Sequence, residues 1–180
     1  MSTAPSPGLT PEFAAAYRQI VCEGLLNELE TTKKVLAAIP DAKRDYRPDS
    51  KSRTAWELAW HIASEDVQFL EQITEGKFTF PDPRYEKEKP NNVAELVAWY
   101  DKKLKRAIER LRAMTPAQLV SPINFLGLFN LPAVLYLGFM NNHSIHHRGQ
   151  LATYLRPMGS KVPSIYGGSA DEPFEMPATA

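Results

Sequence analysis

The sequence predicts an all-α protein: a four-helix bundle with a long crossover loop and a C-terminal tail. Three observations point there. Four long segments carry helix start and stop signals, no segment alternates with the period of a strand, and a proline-rich connection, GKFTFPDPRYEKEKPNN, separates the second segment from the third. A chain of 180 residues with 43% hydrophobic residues can bury one core, so a single domain over 1–180 is expected.

The first helix opens at Thr10-Pro11, an N-cap and N1 pair, and stops at Ile39-Pro40; residues 1–9 before it are expected to be disordered. The second starts at Thr54, with Glu57 three residues on as a capping box, and stops near Gly76. The crossover that follows is too broken by proline to be helical, and its RYEKEK run reads as a solvated face. A third helix opens at Asn91 or Asn92 and stops before Thr115-Pro116. The fourth opens at Asn130 with Pro132 in its first turn, runs through the histidines and ends at Arg156-Pro157. The tail, 157–180, has no period and many Gly, Pro and Ser residues; Ile165, Tyr166 and Phe174 in it favour draping over the bundle for its first half.

Composition excludes several classes of function. With 21 basic and 21 acidic residues no net field favours nucleic acid or an anionic membrane, so a small-molecule ligand is the expected partner. Cys22 is the only cysteine, which rules out an internal disulfide and a Cys-rich zinc site. A metal would have to be held by nitrogen and oxygen. The first residues do not read as a secretory signal, and the longest apolar run, LPAVLYLGFM, is about half of what a membrane span needs, so a cytoplasmic location is expected.

The four histidines carry the functional signal: His61 stands alone in ELAWHIASED, and His143, His146 and His147 crowd NHSIHHRGQL. On a helix His143 and His147 project from one face, in a stripe with Tyr136, Phe139, Met140, Gln150, Leu151 and Tyr154. That stripe is apolar or aromatic on both sides, so the pair points inward. Two buried imidazoles are costly without partners, and a metal satisfies both; ordinary core histidines bonded to backbone or tyrosine are the plain alternative. His61 is the remaining histidine able to complete the set. Periodicity alone makes it a surface residue, or else one lining a polar cleft, and the sequence leaves both readings open. His146 lies about 60° from the stripe and can replace His147, shuttle protons or sit in the core.

Around this set, Gln150 is placed to hydrogen-bond a water at the metal. Arg148 points away, as an inter-helix salt bridge or an anion site. Tyr136 and Tyr154 share the stripe as possible pocket residues. Glu65, one turn after His61, is a candidate base, whereas Glu57 is occupied by its capping box. Gly149 in mid-helix suggests close approach by another segment, and Trp56, Trp60 and Trp99 read as core. The residue after His143 is Ser144, so the zincin pattern fails, and no Glu-x-x-His pairs support a di-iron site. Proton competition for the ligands is expected in the ordinary histidine range, roughly 6 to 7.

NHSIHHRGQLATYLRP resembles the signature helix of the DinB-like (damage-inducible) family, whose pattern is Asn-His, three residues, His-Arg-Gly-Gln. His61 on the preceding helix and the tail VPSIYGGSADE fit as well, so the resemblance spans most of the chain from Trp56. It implies an up-down-down-up bundle, frequent homodimerisation, and a divalent ion, nickel or zinc with iron or manganese as alternatives, held by His61, His143 and His147. The wider superfamily includes transferases that use low-molecular-weight thiols and some hydrolases. Two functions follow: a metalloenzyme activating a thiol or water, with thiol transfer favoured, or a non-catalytic, metal-stabilised stress-response binding module. A wide apolar arc of the second helix, with Trp56, Trp60, Ala63 and Val67, adds to the expectation of a homodimer.

Overall fold

A computed structural model describes residues 8–174. The chain is mostly helical, with one small two-stranded sheet. Helix α1 (Pro11–Ala37) starts where the Thr10 side chain accepts from the Phe13 N–H and Pro11 fills the first turn. Helix α2 (Ala55–Glu75) is closed at both ends, by the Thr54/Glu57 capping box and by Gly76 in the left-handed conformation at φ 69°. A single turn, α3 (Pro83–Glu86), interrupts the crossover. Helix α4 (Val93–Arg112) is capped by Asn92, the short α5 (Pro116–Val120) has its own capping box, and α6 (Tyr136–Leu155) carries the histidine cluster.

Side-chain pairs fix how the long helices lie. Lys33 meets Asp101 and Glu23 meets Arg112, so α1 and α4 run antiparallel. Asp66 meets Tyr100 and Glu71 meets Arg110, so α2 and α4 run parallel. His61 meets His147 and Asp66 meets Ser144, so α2 and α6 run antiparallel. Between these helices Leu29, Leu58, Ile62, Leu104, Ile108 and Leu151 are fully buried, which makes area removed from water the main stabilising term.

Two buried polar contacts pin the helices beside that apolar core. Asp66 Oδ2 accepts from the Tyr100 hydroxyl at 2.7 Å and from the Ser144 hydroxyl at 2.8 Å, tying α2 to α4 and α6. Arg148, only 1% exposed, donates to Thr32 Oγ1 at 2.9 Å and pairs with Glu28 and the Tyr166 hydroxyl, tying α6 to α1 and to the tail. This is the salt-bridge role of Arg148; its guanidinium is committed inside the protein.

The structure corrects several expectations. The segment from Asn130 is not helical: Pro122–Phe125 (β1) and Phe129–Pro132 (β2) form an antiparallel hairpin, a 3₁₀ turn spans Ala133–Leu135, and α6 starts at Tyr136. The turn is made by Leu126 and Gly127, both at positive φ, with Asn124 Oδ1 accepting from the Gly127 N–H at 2.7 Å. Each strand has four residues, too few for alternation to register in the sequence. The crossover has a helical turn, and within RYEKEK Tyr85 is buried and donates to Glu71 while Glu88 accepts from Trp99; the run is otherwise exposed. A Cβ at Gly149 would meet nothing within 4 Å, so no other segment approaches it.

Trp60 is buried against Trp99, and Trp56 and Trp99 are half-buried against the core. Leu9 packs on the core, which narrows the expected disorder; residues 1–7 lie outside the described residues, as do 175–180. The tail drapes as expected: Met158 is buried, Ser160 donates to the Ala38 carbonyl, and Asp171 closes the loop on Arg156 and the Val162 N–H.

Burial pushes the Asp66 carboxyl up to about 7, against the opposing pull of its Tyr100 and Ser144 hydrogen bonds. Because this folded-state value lies above the unfolded value near ~3.9, the carboxyl's contribution is full below that point and is lost as pH rises through about 7. Asp66→Asn keeps an acceptor for both hydroxyls and cannot ionise. In chelator-treated protein, thermal melts should show the variant gaining on wild type as pH is raised from about 5 to about 8; a pH-independent difference would contradict a raised Asp66.

Candidate metal centre

Helices α2 and α6 bring the three histidines together from positions far apart in the chain. The Nε2 atom of His61 lies 3.0 Å from that of His143 and 3.2 Å from that of His147, and one ligand atom from each residue fits within 4.8 Å of the others. The rings meet edge to face, with centroids 4.5 to 4.8 Å apart. Nitrogens at about 2.0–2.1 Å from a common tetrahedral ion stand roughly 3.3 Å from one another, which the two separations from His61 match.

Hydrogen-bond chemistry gives an independent test of fit. The Nδ1 of His147 lies 3.0 Å from Gln150 Oε1, an acceptor, so it carries the proton and leaves Nε2 as a bare lone pair. His61 Nε2 thus faces two imidazole nitrogens and can donate to only one. A cation between them satisfies all three. The Nδ1 of His143 is buried without a partner among the described residues. Gln150 in turn donates to the Tyr154 hydroxyl at 3.3 Å, and Tyr154 is buried edge-on against Tyr46. Gln150 and Tyr154 therefore hold the His147 ring in place.

The electrostatics keep the three imidazoles neutral, the form in which a histidine could hold a metal. Burial drives His61 down to about 3 and His143 to about 4, and lowers His147 against the opposing effect of Gln150; the positive charge of Arg53 adds to the depression in each case. Glu65 lies 4.0 Å from His61 Nδ1, and burial raises its carboxyl to about 7.

The other expected residues are placed as follows. His146 is exposed, its ring against that of His147, and stands outside the cluster. Tyr136 is buried but serves the hairpin, donating to the Ile123 carbonyl at 2.8 Å and accepting from the Leu131 N–H, so it anchors β1 and β2. Arg148 faces α1, away from the imidazoles. His61, which periodicity placed on the surface or in a cleft, is half-buried in the α2/α6 cleft. Sequence reasoning missed Arg53, Asp66 and Phe69, whose relation to the centre depends on how α2 meets α6.

A family model, described as the DinB family, matches residues 22–175. The chain belongs to the DinB family. It is 27% identical over 146 residues to the uncharacterized protein YrdA of Bacillus subtilis, covering 81% of this chain and 85% of that one. It is 31% identical over 139 residues to the uncharacterized protein YjoA of the same organism, covering 74% and 86%. The crystal structure of YjoA, a DinB-like protein, superposes with a TM-score of 0.66 at 24% identity over 81% of this chain and 96% of that one. A DinB-like protein of Bacillus cereus gives 0.67 at 25% identity, over 81% and 95%.

Metal content measured by mass spectrometry after parallel purification should be lost in His143→Ala and in His147→Gln and largely retained in His146→Gln; equal content in all would overturn the ligand set. Since burial keeps His61 and His143 neutral to about 3 and about 4, protonation competes only at acid pH. Affinity should therefore hold through pH 6 and fall below about pH 5, lower than the range expected from ordinary histidines. A competition titration across that range checks it, and a midpoint near 6.5 would contradict the burial argument.

Proposed function

We propose that this DinB family protein binds one divalent ion through His61, His143 and His147 and uses it to activate a thiol or water against an electrophilic small molecule, with thiol transfer favoured. The observation that carries the reading is the convergence of three Nε2 atoms, two of the contacts being 3.0 and 3.2 Å, from ligands that are neutral by burial. A three-histidine ion of this kind acts as a Lewis acid and lowers the pKa of a thiol or water placed on it. The all-nitrogen set suits nickel or zinc, with iron or manganese as alternatives. We place the protein in the cytoplasm; no helix among the described residues is long and apolar enough to cross a membrane.

The chain's own residues divide the remaining work. Gln150 and Tyr154 fix the orientation of His147. Glu65, raised to about 7 beside His61, is the carboxyl suited to take and return a proton near neutrality, because Glu57 is occupied in the Thr54 cap. The helix pairings support reading α1, α2, α4 and α6 as an up-down-down-up four-helix bundle. A centre closed by Phe139 and Tyr154 would support a non-catalytic module. Phe139 is 46% exposed and Tyr154 is engaged with Gln150, so the open, reactive reading is better supported.

The test pairs elemental analysis with a screen of low-molecular-weight thiols against electrophilic acceptors. Metal-dependent conjugation is expected in wild type. Glu65→Gln should keep its metal and lose about tenfold or more in turnover. Turnover that survives complete chelation would overturn the reading.

Homodimerisation is proposed on the family resemblance, because Trp60, Ala63 and Val67 of the apolar arc are buried within one chain. Light scattering across a dilution series should give about twice the 20.2 kDa chain mass. A monomer at high micromolar concentration would remove the proposal.

A further inference from the structure

The faces that carry the imidazoles continue past them. On α2, His61, Glu65 and Phe69 follow at intervals of four, and on α6 Phe139 stands four residues before His143, which stands four before His147. Because the two helices run antiparallel, Phe69 and Phe139 fall on the same side of the ligands. Phe69 leans on the ring of His143, 6.3 Å between centroids. From it a row of rings runs through Phe125 at 6.0 Å and Phe129 at 6.2 Å to Phe139 at 5.8 Å. Four residues of helix rise roughly 6 Å, so Phe139 is one turn from His143 and the row curves round that ligand instead of leading away from it. Its outer members meet solvent, Phe129 and Phe139 each being 46% exposed.

The two ends of the centre differ in chemistry. Beyond His147 the neighbours hydrogen-bond: Gln150 accepts from its ring and donates to the Tyr154 hydroxyl. Beyond His143 the neighbours are rings. The Nδ1 of His143 is buried without a partner among the described residues. Tyr136, whose ring touches Phe125 and Phe139, has its hydroxyl taken up by the Ile123 carbonyl and the Leu131 N–H. A polar substituent placed on this side would lose water and gain no hydrogen bond from these groups, whereas an apolar one exchanges water for aromatic surface. Exposed apolar patches mark sites of contact. This one leads inward to a ligand ring, which fits a molecule held at the centre better than a protein face lying across the surface.

We infer that the molecule taken by this centre carries an uncharged apolar group, an aromatic ring or an alkyl chain, which Phe69, Phe129 and Phe139 hold on the His143 side. The 6.3 Å between the Phe69 and His143 rings is within reach of a short alkyl linker from the reacting atom. The inference rests on the metal-centre reading for where that atom sits. The aromatic row is present with or without the ion.

The experiment is calorimetric titration of the full chain, zinc-loaded and chelator-stripped, with acetohydroxamate, 4-phenylbutanohydroxamate and 4-phenylbutanol. The hydroxamates share a metal-chelating head and differ in the apolar tail. In zinc-loaded wild type the phenyl compound should bind about tenfold or more tighter than acetohydroxamate. The double variant Phe129→Ala/Phe139→Ala, which alters two exposed side chains, should remove most of that advantage and leave acetohydroxamate affinity and zinc content unchanged. Phe69→Ala should act in the same direction. Equal affinities of the two hydroxamates for wild type overturn the inference, as does an equal weakening of both in the variants. If neither hydroxamate distinguishes loaded from stripped protein, the centre reading fails by itself: 4-phenylbutanol bound by stripped wild type and weakened in the double variant then still supports the apolar site, and 4-phenylbutanol affinity that the variant leaves unchanged overturns it. So does a wild-type dimer that the double variant converts to monomer without a change in probe affinity, which would assign the row to a second copy of the chain.

Discussion

An imidazole nitrogen at 3.0 and 3.2 Å from two others is the constraint on which the rest of the centre depends. One proton can satisfy one such contact. The His147 proton is drawn to the opposite side of its ring by Gln150, so His61 can hydrogen-bond only one partner, and a cation between the rings would satisfy both contacts. Burial reinforces this by disfavouring imidazolium, which would otherwise relieve the contact by mutual repulsion and opening.

Holding that geometry is a task for the two helices rather than for the histidines. Asp66 and Ser144 join α2 to α6 one turn from the imidazoles, and Tyr100 brings α4 into the same buried contact. Arg148, one residue after His147, locks the other side of α6 to Glu28 and Thr32 of α1 and to Tyr166 of the tail. Removing one member of a buried polar contact leaves the others unsatisfied in low dielectric, so these contacts fix the relative rotation of the helices more than they add net stability. The rotation of α6 in turn decides which of its three histidines face His61.

The same rotation leaves His146 outside the cluster, its ring against His147 alone, and sets Phe69 against His143. The hairpin then completes the surface: Tyr136 bonds to its strands, and Phe125 and Phe129 extend the row from Phe69. A chain with the same histidines and a different segment between α5 and α6 would have the centre without this aromatic flank.

Much of this was legible in the sequence. Local signals are written in short-range chemistry, and Thr10-Pro11, the Thr54/Glu57 box, Gly76 and Asn92 marked helix ends that the structure retains. The spacing of His143 and His147 set them on one face, since a helix fixes side-chain direction by interval. The Leu126-Gly127 turn was not read, because its conformation rests on two residues at positive φ and one asparagine bond, and the strands it joins are too short to show a period. Nor could periodicity decide His61: a polar stripe looks the same whether it faces water or a cleft between two helices. The sequence by itself determined which residues are able to ligate and which helix faces they occupy. Only the tertiary structure decided that His61 meets that face, that Arg148 is consumed inside the protein, and that Phe69 borders the centre. Those contacts join residues up to 120 positions apart, and pairing at such range depends on how helices pack and rotate, which no local pattern encodes.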